Sequence, residues 1–409
     1  MNLHTGMPVW RATCPHVREY PKLEEDIDCE VLVIGAGDSG ALVSYLLMEH
    51  GIDTVLIDKR AVAHGSSFAS TGLLQFSNDK SLTACLNTFG EAQGLRFYQL
   101  CQEALNDLEA ISSQLVYSPE FARRPSLYVA SCPEDVAMLQ EECRALQKYG
   151  FPVDFWTEDQ IAAKYSFRKP GAIYAQGDAE VNPFKLVNGL IETSYLKGMR
   201  VFANTEVFRM PGEKGRLVFR AGRHAVRAQY AVYATGYETQ ELRRNPNAVL
   251  TSAFAMATKP VASFDGWHAR SLIWETARPY LYIRTTADNR IVMGGLDEPT
   301  TDPEERERML PRKTELLLQN VQELFPNMPE LEVAYSWTGA FGSTHDGLPM
   351  VGEQEGFDNS YFMLGYGGNG TVYSAIAAKL VAAAIVHGGH PDLELFRVER
   401  PRHASALVW

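Results

Sequence analysis

Cysteine is scarce in this chain. Six occur in 409 residues (Cys14, Cys29, Cys85, Cys101, Cys132 and Cys143), with no CxxC pair and none placed with histidine at zinc spacing. That excludes a disulfide-stapled scaffold, and scattered thiols in apolar or helical contexts are expected to be reduced, which points to the cytoplasm. The ten histidines are dispersed, with no HxH or HExxH, so no metal site is expected. No basic block occurs. The 38 Lys and Arg are outnumbered by 50 Asp and Glu, and a net charge of −12 opposes a nucleic-acid partner. No apolar h-region marks a signal peptide near the start. The most apolar helix candidate, 374–387, is short and carries Lys379, so no membrane span is expected. No internal repeat and no low-complexity tract is visible.

What is present is ordinary for a globular chain: 45% hydrophobic and 22% charged residues, long enough for two or three folding units. The informative stretch runs from Glu30 to Gly40, EVLVIGAGDSG, with a second apolar run ending on Asp58. An apolar strand enters GxGxxG, a helix follows, and the next strand ends on an acid: a βαβ unit built for a dinucleotide. Gly35 permits the tight turn, Gly37 lets backbone approach a pyrophosphate, and Gly40 lets the helix pack close to the sheet. The helix N-terminus turns N–H groups and partial positive charge toward the phosphates. Asp58 is placed to accept from ribose hydroxyls.

Further along, 1–26 reads as an extended arm, 91–115 has helical periodicity, Pro133 opens a helix that stops at Gly150, and Asn182-Pro183 caps another ending at Gly198. Antiparallel strands are expected over 253–264, 280–284 and 290–294, a long helix over 303–325, and a strand at 333–337 followed by a Gly-rich loop. Two later strands, ending in Thr235-Gly236 and running into Gly365 to Gly370, look like strands whose carboxyl ends face a ligand crevice. The dinucleotide domain is therefore expected to be discontinuous: 27–90, 170–250 and 335–409, with a substrate domain from 91–169 and 251–334.

Four segments in order carry a resemblance: VIGAGDSG at 33–40, VYATG at 232–236, RIVMGG at 290–295, and THDGLPMVG at 344–352 followed by GYGGNG at 365–370. Together they resemble the D-amino-acid-oxidase-like family of FAD-dependent oxidoreductases, which includes glycine and sarcosine oxidases. Trp10, Tyr20-Pro21, Leu23 and Asp26 look like the branch that includes γ-glutamylputrescine oxidase-like proteins. The resemblance implies an α/β (α+β) fold: a glutathione-reductase-type, Rossmann-like FAD domain plus a substrate domain on a large, mostly antiparallel sheet. It implies FAD, with Gly35, Gly37 and Gly40 at the pyrophosphate and Asp58 and Lys59 at the adenosine side. Ser66, Ser67, Gly72 and Leu73 would run beside the flavin, Val207 would meet the adenine side, and Thr235 and Gly236 would close over the nucleotide. Gly368, Asn369, Gly370 and Thr371 would meet the flavin, where a helix N-terminus offsets charge growing on the reduced ring.

The activity implied is oxidation of the C–N bond of an amine or amino-acid-like substrate, by hydride transfer to flavin N5, with oxygen or an electron carrier as acceptor. Tyr280 matches a substrate-contacting tyrosine. Phe341 stands where glycine-oxidase-like members carry a carboxylate-gripping arginine, and Val372 where sarcosine-oxidase-like members carry a lysine. The cationic candidate left is Arg284, which strand alternation puts on one face with Tyr280 and Tyr282. His345 is placed near the flavin edge. Ala69 and Ala340 stand where relatives tether the cofactor, so FAD is expected to be noncovalent. Two alternatives stay open: a 2-hydroxyacid-type dehydrogenase with His345 as base, and a flavoprotein subunit active only with a partner.

Overall fold

The computed structural model describes residues 1–400 apart from Lys214, Arg243 and Pro329. Among these residues the strands form two sheets, one of eight and one of ten. The smaller is built on Ile27–Ile34, which is apolar on both sides because helices and strands cover both of its faces. Thr54–Ile57 and His224–Tyr233 flank it, Arg200–Phe202 and Ser360–Leu364 lie beyond, and all five run parallel. Asp38–Glu49 packs on this sheet between Pro183–Leu196 and Gly370–His387. Asn182 caps the first of these neighbours, accepting from the Lys185 N–H at 3.1 Å, with Pro183 in the first turn as the sequence predicts.

The larger sheet is mostly antiparallel. Its order runs His4–Gly6, Val333–Thr344, Ala248–Thr258, Ile291–Glu298, Leu281–Thr285, Leu272–Glu275, Ala122–Val129, Gly171–Glu180 and Leu73–Leu74. Leu272–Glu275 and Ala122–Val129 run parallel within it. The N-terminal arm thus begins with a strand of this sheet. Gly171–Glu180, grouped by sequence with the dinucleotide segments, also hydrogen-bonds here.

Two local expectations fail for identifiable reasons. The stretch after Trp337 is not a loop: Val333–Thr344 is one continuous strand. Its glycines mark close approach, since a Cβ on Gly339 would sit 2.7 Å from the Ala69 methyl and one on Gly342 2.5 Å from the Tyr237 ring. The late apolar helix begins at Gly370 and spans 18 residues, long and apolar enough to cross a membrane by length and composition. Two-thirds of it is buried inside the protein, where it packs against Asp38–Glu49 and Glu91–Ser112 as a core helix.

Candidate functional site: a cavity between the two sheets

A cavity of about 730 Å³ lies between the carboxyl ends of the parallel strands and the larger sheet, a size suited to a cofactor with its substrate. It can be followed from one end to the other.

At the first end, Gly35 turns the chain at φ +109°, and a Cβ there would meet the Ala234 carbonyl oxygen at 2.4 Å. Gly40 does not line the cavity. It packs the helix onto the turn so closely that a Cβ would fall 1.8 Å from the Gly35 oxygen. Asp58 is on the wall, and its two carboxylate oxygens accept from the Ala36 and Arg60 N–H groups, each at 2.7 Å. Burial nevertheless pushes its pKa up. Beside it, Glu238 collects Arg60 at 2.6 and 2.8 Å and Lys59 at 3.2 Å. Burial would raise the Glu238 carboxyl, but these cations hold it at about 2. Val207, Thr235 and Gly236 complete this end.

In the middle, two helices start at the wall: Asp38–Glu49 and Gly370–His387. Neither has a side-chain N-cap, so apart from the Asp38 N–H, which Ser67 accepts, their first turns present backbone donors to a ligand. The hydroxyls of Ser39 and Ser374 join the two turns at 2.8 Å. Gly37 faces Ser67, whose Oγ would lie 2.9 Å from any Cβ and which accepts the Asp38 N–H at 2.9 Å. Asp38 is itself on the wall. Its Oδ2 accepts from the Thr371 hydroxyl at 2.8 Å, while Oδ1 is buried without a partner. Burial raises this carboxyl to about 6 against the pull of Thr371 and Ser67. Asn369 is committed to the neighbouring loop, donating to the Gln75 carbonyl and to Asn78 Oδ1. Ser66, Gly72, Leu73, Gly368 and Gly370 also line this part.

The far end is aromatic. Tyr280, Tyr282, Trp274, Trp337 and Phe341 line it. Gly294 leaves room for the Tyr282 ring, which a Cβ would meet at 2.5 Å. Loss of solvent pushes the Tyr280 and Tyr282 phenols up, so both stay neutral. Asp79 accepts the Gly368 N–H at 3.1 Å. Trp274 Nε1 and Gln75 Nε2 are buried donors without acceptors.

Besides Gly40, two sequence-predicted residues are not on the wall. Arg284 shares its face with Tyr280 and Tyr282, but the strand carries it under the flavin-side loop. It is 2% exposed, its Nη1 donates to the Gly72 and Val181 carbonyls at 2.8 Å each, and its guanidinium lies 5.3 Å from the Trp10 ring. Trp10 and Trp337 grip the same loop by donating to the Ser70 and Ala69 carbonyls at 2.7 and 2.9 Å. His345 lies past the end of Val333–Thr344 and outside the cavity. Its backbone N–H donates to the Asn247 carbonyl, and its ring is 3.9 Å from Asp346, which pairs with Arg400. Sequence reasoning missed Asp38, Asp79, Glu238 and Trp274. Asp38 was visible as the one acid inside the glycine fingerprint; the other three carry no local signal.

Such a cavity, with a glycine turn, an acid after the second strand and two uncapped helix starts, is that of a protein that holds an extended dinucleotide. Comparison with known proteins agrees. The profile of the family described as DAO, FAD dependent oxidoreductase, matches residues 30–384, and the chain belongs to that family. It is 26% identical over 399 residues to the γ-glutamylputrescine oxidoreductase of Escherichia coli K12, covering 93% of this chain and 89% of the relative. Glycine oxidase from Geobacillus kaustophilus superposes with a TM-score of 0.80 at 20% identity, over 92% of this chain and 99% of that one. L-proline dehydrogenase from P. horikoshii superposes at 0.75 and 18% identity, over 92% and 97%. FAD fits the residues present: Gly37 leaves space a Cβ would fill, and Asp38 Oδ1 awaits a partner at the wall.

Proposed function

We propose that this protein oxidises the C–N bond of an amine or amino-acid-like substrate. The observation that carries the reading is the aromatic end of the cavity, where Tyr280, Tyr282 and Trp274 stand beyond the Gly368 to Thr371 turn. The relatives' names, an amine oxidoreductase, an amino-acid oxidase and a proline dehydrogenase, point the same way. FAD, when bound, supplies the two-electron acceptor for the hydride on the carbon bearing nitrogen. Gly35, Gly37, Ser67 and the two helix starts would hold its pyrophosphate and ring, and Asp58 and Lys59 its adenosine side. The aromatic wall excludes water and orients the substrate. With both phenols neutral and His345 outside the cavity, the described residues of the wall offer no histidine or phenolate base. An amine that enters uncharged needs none, whereas a hydroxyacid does.

The attachment is noncovalent in this reading, because no cysteine or histidine is among the described residues of the wall. Segments 27–90, 170–250 and 335–409 form the cofactor part, with 401–409 outside the described residues, and 91–169 and 251–334 the substrate part. Six free thiols, five of them buried, favour a reducing cytoplasmic setting. Anaerobic titration of the yellow protein with amines, amino acids and 2-hydroxyacids tests the activity. Bleaching of the flavin band by an amine or amino acid is expected; bleaching by hydroxyacids alone would overturn it. Readmitting air then separates oxygen from a carrier as acceptor.

A further inference from the structure

The charges on the cavity wall are unevenly placed. Asp58, Lys59, Arg60, Arg209 and Glu238 cluster at the dinucleotide end. At the aromatic end Asp79 is the one charged side chain among the described residues of the wall. No Lys or Arg among the described residues lines that end. Arg284 is spent under the loop, and Arg278 stacks on Tyr280 at 4.9 Å while donating to the carbonyls of Glu275, Thr276 and Ala277. A substrate carboxylate finds no cation to pair with among the described residues of that end, and Asp79 would repel it.

A cation is received differently. Asp79 and Tyr280 converge over the bare Cα of Gly368: a Cβ there would meet the Tyr280 hydroxyl at 2.7 Å and the two Asp79 oxygens at 2.8 and 3.2 Å. The Tyr280 and Tyr282 rings are 5.6 Å apart. An acid beside aromatic faces is the composition that binds ammonium groups. The negative field extends outward, since burial and then the Asp79 charge raise Asp297 to about 6. On the same wall Trp274 is 5% exposed and its Nε1 has no acceptor. An indole N–H only donates, so it turns away an ammonium and favours a hydrogen-bond acceptor, which on a diamine is the unprotonated nitrogen. The wall therefore sorts a ligand by charge, cationic end to Asp79 and neutral part to Trp274.

The nitrogen that reacts must be uncharged, because a protonated nitrogen has no lone pair to assist loss of hydride. A neighbouring carboxylate stabilises the protonated form of an amine. The nitrogen held by Asp79 is therefore the one that does not react. Resting on the amine-oxidation reading above, we propose that the aromatic end binds an aliphatic diamine or polyamine, with Asp79 holding a second, non-reacting ammonium flanked by Tyr280 and Tyr282.

The test uses the holoenzyme and reads flavin bleaching without oxygen. 1,4-Diaminobutane is compared with butylamine and with neutral D- and L-amino acids. The diamine is expected to half-saturate at a concentration about tenfold or more below butylamine, the scale of one charge-assisted contact. Asp79→Asn is expected to erase that difference while the protein keeps its FAD, judged by absorbance, and Asp79→Glu to restore part of it. Because Asp79 also holds the Gly368 loop, Trp274→Phe serves as a second probe. It keeps an aromatic face, smaller than the indole, and removes the N–H, and it should lessen discrimination between singly and doubly protonated diamine across pH. Bleaching by amines with no preference for the diamine, or a preference for amino acids, would overturn the subsite and leave C–N oxidation standing. Bleaching by no amine or amino acid would overturn both.

Discussion

Asp38 places a buried carboxyl in the wall where an anionic pyrophosphate is to be held, and its proton decides whether the two tolerate each other. Its pKa, about 6, is raised above the unfolded value near 3.8. The folded state therefore holds the proton more tightly, and the stability this contributes is complete below about pH 4 and lost as pH rises through about 6. FAD affinity should fall over the same window, because the ionised carboxylate repels the pyrophosphate. Asp38→Asn is expected to flatten both dependences, read as Tm and as FAD dissociation constant between about pH 5 and 7. Arg284 is the contrasting case. Arg284→Leu leaves the Val181 carbonyl without its donor and the Gly72 carbonyl with the Val181 N–H alone, and should cost on the order of 2 kcal/mol in thermal or urea unfolding, while leaving substrate charge preference intact. A changed preference would return Arg284 to the substrate. The glycines of the fingerprint were legible because a tight turn or a close approach admits no other residue. Arg284 was not, because period-two alternation fixes the face of a strand and says nothing of which loop lies over that face.

At the scale of elements, close approach recurs as the reason for glycine. Gly40→Val would drive side-chain carbon into the Gly35 oxygen, already 1.8 Å from a bare Cβ, and soluble yellow protein should not be recovered. The strand Val333–Thr344 shows why the same residue misleads: Gly339 and Gly342 read as a loop in sequence, but they let a strand pass beneath Ala69 and Tyr237. The helices were placed well because their caps are local, as Asn182 and Pro183 illustrate. The arm's contribution was invisible because Trp10 acts on Ser70, 60 residues away. Trp10→Phe keeps an aromatic ring but removes the hydrogen bond, worth about 1 kcal/mol, together with part of a fully buried indole. Faster FAD release after dilution, with little loss of secondary structure, is the expected result, and an unchanged release rate would remove the arm from cofactor retention.

For the whole molecule, the order of the chemical segments along the chain was readable and the weave between sheets was not. Leu73–Leu74 and Gly171–Glu180 sit within stretches that otherwise build the smaller sheet, yet they pair in the larger one. That exchange depends on contacts between distant segments, which spacing does not encode. It also ties both sheets to the cavity they enclose. Stripping FAD should therefore lower the melting temperature of the entire protein in one transition, by about 2.7 kcal/mol of stabilisation when the cofactor had been present at a hundred times its dissociation constant. Two separated transitions in calorimetry would show the sheets to be independent.

The strand His4–Gly6 pairs with Val333–Thr344, more than 300 residues later. Chains emerge from the ribosome N-terminal end first, so this strand is synthesised early and finds its neighbour late. Ile27–Ile34 likewise waits for His224–Tyr233, and that strand for Ser360–Leu364. A translating chain thus has no finished pocket until Ser360–Leu364 has been made. Yellow colour should belong to released chains, and ribosome-stalled nascent chains ending before residue 333 should not retain the cofactor.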